Sequence, residues 1–138
     1  MNDIDIREMV HLDSRGMLVS FQYPDSVPFE IKRVFYVHFS GKNVVRGNHA
    51  NRNTKEMLIS VIGNFKITFD FGYGIETKFL RSEKNAILVP EMTWVSQESL
   101  DENGVLLVLC STVYESDQIR DYNKYREMKN ERNESTSN

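Results

Sequence analysis

The nine residues "NFKITFDFG", Asn64 to Gly72, alternate too regularly for anything but an extended chain. Phe65, Ile67, Phe69 and Phe71 are separated by Lys66, Thr68 and Asp70, so a strand turns all four large side chains to one face. A helix would scatter them around its axis. This segment is a strand with one buried side, and its four apolar residues belong to the core. The flanks read the same way. "EMLISVI" runs into Gly63, "IKRVFYVHF" ends at the turn "SGKN", and "MLVSFQY" follows the turn "DSRG". After the decisive strand come "GIETKFL", "AILV", "TWVSQ" and "GVLLVLCS". Short strands at this spacing imply a β-sandwich or barrel, not βαβ units. The end of the chain differs. "ESDQIRDYNKYREMKNER" offers Ser116 as a cap and sets Ile119, Tyr122 and Tyr125 at helical spacing. The expected fold is all-β, an antiparallel jelly roll or barrel with one C-terminal α-helix. A single domain spans residues 1–128, and a polar tail expected to fray occupies 129–138.

Composition narrows the function classes. The chain has 138 residues, enough for one domain and one core. Its net charge of −3 gives no general attraction to nucleic acid or anionic membranes. No apolar run approaches the ~18 residues of a membrane span. The N-terminal "MNDIDIREMVHLD" is acidic and interrupted by charges, unlike a signal peptide. With one cysteine, Cys110, in an apolar run, a cytoplasmic protein and a buried inert thiol are expected.

Next comes "RGNHANRNTKEMLISVIGNF", Arg46 to Phe65. A metal-binding cupin takes ligands from two strands, commonly histidines and one carboxylate. Its first half reads His-x-His, a short spacer, Glu, a six-residue spacer and Gly. Here His49, Glu56 and Gly63 satisfy that spacing, but Asn51 stands where the second histidine would be. The second half of such a motif would fall in "PEMTWVSQ", Pro90 to Gln97, which contains no histidine. His49 and Glu56 are fewer than the three protein ligands of a catalytic divalent site. No metal and no other cofactor is therefore expected.

His49 remains to be explained. A lone histidine is often structural, bonded to a backbone carbonyl. Against that, Arg46 and Gly47 precede it, and glycine lets a backbone approach a ligand closely. Asn48, Asn51, Arg52 and Asn53 surround it with hydrogen-bond donors. Fixed donors beside one titratable base suit an anionic, oxygen-rich substrate.

At this point the chain resembles the sugar-nucleotide 3,4-ketoisomerases of the cupin superfamily, which act on dTDP-4-keto-6-deoxyglucose. The resemblance runs from about Asp13 to Tyr125 and rests on "DSRGMLVSF", "VPFEIKRVFYV", "RGNHANR", "LVPEMTW" and, most specifically, "GVLLVLCSTVYESDQIRDYNKY". It implies a metal-free jelly-roll homodimer, with N-terminal strands exchanged between subunits, that serves deoxyaminosugar biosynthesis for bacterial surface polysaccharides. It also implies that His49 is the catalytic base and that Arg46 and Asn51 act beside it. Arg33, Phe35, Glu56, Trp94 and Arg120 would lie in or near the nucleotide-sugar cleft. Arg15 would help decide which face of C4 receives a proton. Relatives commonly read "KRVYY" and "HAHK", so Phe35 and Asn51 are departures, as is Glu56 where glutamine is common. Val95, Ser96 and Gln97 also differ from the usual residues after the tryptophan.

The reaction expected from these residues is migration of a keto group from C4 to C3. A base removes the C3 proton, donors hold the enediolate oxygen, and acid protonates C4. The transfer from O3 to O4 has no obvious agent, because Phe35 has no proton to give. Tyr36 should face away from Phe35 on its strand; Glu56 is an alternative if it faces the pocket, and bound water is the default. The competing reading is a non-catalytic sugar-nucleotide-binding cupin that assists another enzyme of the pathway. A metal-dependent cupin enzyme is disfavoured by the ligand count. The stereochemistry at C4 is not legible.

Overall fold

A computed structural model of the chain describes residues 2–114 and 117–137, with side chains described as far as Glu131. Two five-stranded antiparallel sheets form the body. The first runs in the order β1 (Asp3–Asp5), β9 (Asn85–Val89), β6 (Glu56–Ile62), β11 (Val105–Cys110) and β4 (Arg33–His38). The second runs β12 (Gln118–Ile119), β5 (Val45–Asn51), β10 (Trp94–Ser99), β7 (Asn64–Asp70) and β8 (Ile75–Arg81). A separate hairpin, β2 (Val10–Asp13) with β3 (Gly16–Val19), stands outside both sheets, and α1 (Tyr122–Ser137) closes the chain. This is the jelly roll with a C-terminal helix that the strand pattern implied. No described helix is long and apolar enough to cross a membrane.

The core lies between the sheets. Phe65, Ile67 and Phe69 of β7 are fully buried there, opposite Leu58, Ile87, Leu106 and Val108 of the first sheet. Removing each such side chain from water contributes about 1.5–3 kcal/mol, which is why the alternation was diagnostic. The outer face of the first sheet is covered as well. Met57, Ile59, Ala86 and Leu109 pack under Ile6, Val27 and Phe29 of the N-terminal segment. That double burial accounts for the consecutive apolar residues Met57, Leu58 and Ile59, while Val61 and Ile62 at the end of the strand are about half exposed.

The C-terminal region departs from the sequence reading. Ser116, the expected cap, lies outside the described residues. Ile119 is not helical; Gln118 and Ile119 pair with Asn51 and Ala50 as an edge strand. The helix begins three residues later, where the Asp121 carboxylate accepts from the Lys124 backbone N–H at 3.2 Å, as an N-cap does. It continues through Ser137, past Lys129 where fraying was expected. Tyr125 anchors it, fully buried with Ala50, Met92 and Ile119 against the second sheet.

Candidate active site

Between the two sheets, at the end away from the fully packed core, lies a cavity of about 530 Å³. The first sheet contributes one row of side chains across three strands. Arg33 of β4 is opposite Cys110 of β11, and Cys110 is opposite Glu56 of β6. Alternation turns this row, with Phe35 and Val108 beside it, toward the cavity. Tyr36 points the other way and is 72% exposed, as the strand geometry required.

The second sheet contributes Arg46, His49 and Asn51 from β5 and Gln97 from β10. Arg46 and His49 are an odd number of residues apart, so a regular strand would send them to opposite faces. The register shows what prevents this. Gln97 pairs with Arg46, Ser96 with Gly47, and Val95 with His49, leaving Asn48 as an extra residue. This β-bulge re-aims the strand, and both Arg46 and His49 then line the cavity. Gly47 and Asn48 both have positive φ, 91° and 57°. A Cβ on Gly47 would lie 2.9 Å from the Val95 carbonyl oxygen, so only glycine fits that position.

Electrostatics divide the site into a neutral base, a carboxyl that stays partly protonated at neutral pH, and a group of cationic arginines. Burial holds the His49 pKa below its ordinary 6.5, and the nearby Arg120 charge lowers it further, against a backbone hydrogen bond at Gly47 and the Asp117 charge. The imidazole is therefore neutral at neutral pH and free to accept a proton. Burial pushes Glu56 up to about 7, against the Arg33 charge and a hydrogen bond from the Asn51 side chain. Burial and the neighbouring Glu56 push the Cys110 thiol up to about 12, which makes it the inert thiol expected. Arg33 is sandwiched between the rings of Phe35 and Tyr114, 4.7 and 4.9 Å from their centroids. Asp117 lines the cavity just before β12, its Oδ2 accepting from the Asn53 N–H at 3.0 Å and the Thr54 hydroxyl at 3.1 Å.

Seven of the nine residues singled out in the sequence thus meet in one cavity: Arg33, Phe35, Arg46, His49, Asn51, Glu56 and Arg120. Two do not line it. Trp94 sits on the outer face of β10, edge-on to Tyr122 at 5.2 Å and tilted against Tyr125 at 5.6 Å, so in this chain it packs the helix. Arg15 is at the tip of the exposed hairpin, where it bonds Asp13 at 2.6 Å. Gln97, Thr54 and Asp117 were not picked out as site residues. Gln97 lay in the stretch noted for its unusual residues, but Asp117 and Thr54 carried no local signal. Among the described residues no group of three His, Cys, Asp or Glu side chains is placed to hold a metal ion.

Known proteins resemble this chain over most of its length. A family model described as "FdtA: WxcM-like, C-terminal" matches residues 2–130. The TDP-4-oxo-6-deoxy-alpha-D-glucose-3,4-oxoisomerase of Aneurinibacillus thermoaerophilus is 31% identical over 116 residues, covering 83% of this chain and 84% of that one. Among solved structures, QdtA, a sugar 3,4-ketoisomerase from Thermoanaerobacterium thermosaccharolyticum in complex with TDP, superposes with a TM-score of 0.86 at 27% identity over 94% of each chain. WlaRA, a TDP-fucose-3,4-ketoisomerase from Campylobacter jejuni, superposes with a TM-score of 0.83 at 28% identity, over 94% of this chain and 96% of its own.

Proposed function

The chain belongs to the FdtA-like family of cupin 3,4-ketoisomerases, and we infer that it moves the keto group of a dTDP-linked 4-keto-6-deoxyhexose from C4 to C3 with His49 as the base. The observation that supports this most is a neutral imidazole inside a cavity that also holds three arginines, Arg33, Arg46 and Arg120. Guanidinium groups recognise phosphate oxygens with charge-assisted, geometrically fixed hydrogen bonds. A nucleoside diphosphate is thereby held by these arginines while its sugar reaches the base. The non-catalytic alternative is not favoured, because the relatives are isomerases.

In the first step His49 removes the C3 proton. The C3–H electron pair forms a C3=C4 bond, and negative charge develops on O4. Arg46 and Asn51 are the donors we assign to that oxygen, Asn51 acting as a donor only. His49, now an imidazolium, then returns a proton to C4 as the C3 carbonyl forms. Phe35 gives the sugar an apolar wall and holds Arg33 in place; Glu56 lies at the floor. No step requires a metal, and we assign none. A 3-keto sugar is the form that accepts an amino group, which supports a place in deoxyaminosugar biosynthesis, including that of surface polysaccharides.

The exposed hairpin supports a homodimer. Leu12, Met17 and Leu18 leave it 74%, 41% and 61% exposed, while the first sheet ends in the open edge strand β4 with Val34 and Tyr36 also exposed. Exchange of N-terminal strands would cover both surfaces and carry Arg15 toward the partner's cavity. Changing Leu12 and Leu18 to Asp is expected to give a monomer in size-exclusion chromatography with light scattering; a dimer that survives both changes refutes the exchange.

The test of the function is direct. Protein stripped with a chelator is incubated with dTDP-4-keto-6-deoxyglucose in deuterated buffer and followed by proton NMR. Product bearing the carbonyl at C3 and deuterium in the ring is expected from the intact chain, and neither from His49→Asn. Absence of both in the intact chain would sink the assignment.

A further inference from the structure

Keto migration needs a second proton path that His49 does not provide. As C3 becomes a carbonyl, the O3 proton must leave, and O4 must gain one. The group responsible has to donate and accept a proton at neighbouring oxygens. Most of the cavity cannot do this. Phe35 and Val108 have no exchangeable proton, and guanidinium groups donate hydrogen bonds without giving up a proton. Tyr36 borders the cavity, but it is 72% exposed on the strand face opposite Arg33 and Phe35, so its hydroxyl is given to solvent. Tyr114 is 70% exposed, with its ring held against Arg33. Asp117 already accepts from Asn53 and Thr54 through Oδ2, a fixed carboxylate latch. The Cys110 sulfur lies 4.0 Å behind Glu56 Oε2 and holds its proton too tightly.

On the isomerase reading above, we propose that Glu56 is the catalytic relay that passes the proton from O3 to O4. Its side chain lies in the Arg33–Cys110–Glu56 row on the cavity wall and is 6% exposed. Asn51 lines the same cavity, is near enough to the Glu56 carboxyl to lower its pKa, and shares a strand face with His49 two residues earlier. Base and carboxyl therefore reach the cavity from facing sheets, with Asn51 between them. The groups facing Glu56 are Arg33 and Asp117 by charge, Cys110 behind it and Asn51 across it.

The step balances. Glu56 begins as a neutral acid, a state that its pKa of about 7 keeps populated at neutral pH. After His49 has taken the C3 proton and charge has developed on O4, the Glu56 O–H gives its proton to that oxygen. Its other oxygen takes the O3 proton, the O–H pair becomes the C3=O bond, and C4 receives its proton from the His49 imidazolium. Glu56 ends protonated, and nothing is oxidised or reduced beyond the sugar's own two carbons. A carboxylic acid offers a donor and an acceptor on one rigid plane, which fits two vicinal oxygens.

The same NMR experiment separates the two proton paths. In Glu56→Gln, which keeps the shape of the carboxyl but cannot relay a proton, exchange at C3 is expected within about tenfold of wild type. Formation of 3-keto product is expected to fall at least about 100-fold. Glu56→Asp, which retains an ionisable group, is expected to recover more than half of that loss on a logarithmic scale. Migration in wild-type protein should decline above a midpoint of about 7, and this alkaline limb should be absent from the residual activity of Glu56→Gln. Product formation by Glu56→Gln at the wild-type rate overturns the proposal. So does parallel loss of exchange and product in a Glu56→Gln protein that still melts and binds TDP like wild type, because Glu56 would then position His49 instead. Failure of the isomerase reading looks different: the wild type itself would then show neither exchange nor product.

Discussion

Glu56 Oε2 lies 4.0 Å from the Cys110 sulfur, on adjacent strands β6 and β11, and both groups are buried. Neither gains from ionising there. Burial holds Glu56 at about 7 against an ordinary value of 4.5, so its folded-state pKa exceeds its unfolded one. The stabilising contribution of the protonated carboxyl is complete below pH 4.5 and is lost as pH rises through about 7. At about 1.4 kcal/mol per pH unit, the loss is about 3 kcal/mol. Urea melts at pH 5 and pH 8 should show most of that difference in wild type and not in Glu56→Gln.

His49 carries the opposite pH signature in activity. Its pKa is lowered, so the neutral base persists below the ordinary imidazole value of 6.5. The acid limb of kcat/KM should therefore have its midpoint below 6.5. A midpoint above that value would mean that the ring is not desolvated in the working enzyme.

Arg120 links arginine charge in the site to that limb, since it is one of the causes lowering the His49 pKa. Arg120→Ala should move the acid midpoint of kcat/KM upward. It should also raise the Kd for TDP about tenfold or more, the scale of one hydrogen bond to a charged group. Calorimetry and a pH profile read the two effects separately.

Gly47 should be intolerant of even one methyl group. Gly47→Ala forces an L residue to φ 91° and brings its Cβ to 2.9 Å from the Val95 carbonyl oxygen. A loss of about 1–3 kcal/mol in thermal or urea melts is expected. If the bulge shifts to relieve the contact, Arg46 and His49 move relative to each other and kcat falls about a hundredfold. Wild-type stability and kcat in this variant would show that the bulge is not needed.

Tyr125 tests the seat of the helix. Its buried hydroxyl lies 2.8 Å from the Asp70 carbonyl oxygen and 3.0 Å from that of Met92, its single O–H shared between the two acceptors. Tyr125→Phe should cost about 1–2 kcal/mol in melts, with Trp94 still packed against the ring and kcat nearly unchanged.

Much of the architecture could be read before folding was considered. Alternation in Asn64–Gly72 identified β7 and its buried face, because one side of a strand on a core must be apolar at every second residue. The motifs around His49, Trp94 and Arg120 carried the family resemblance, and the one-sided ligand count argued for acid/base chemistry. The end of the chain was misread for a definable reason. Ile119 has helical spacing with Tyr122, but the open edge of β5 offered backbone partners, and strand pairing took Gln118 and Ile119.

Sequence alone determined the strands, the core residues and the presence of a histidine among donors, since these follow from local periodicity and residue chemistry. Tertiary structure decided which of them meet. It set Glu56 across from His49, used an extra residue at Asn48 to bring Arg46 round to the same face, and placed Trp94 under the helix. Such contacts depend on register between strands distant in sequence, where a one-residue slip reverses every side chain, and no local pattern records that choice.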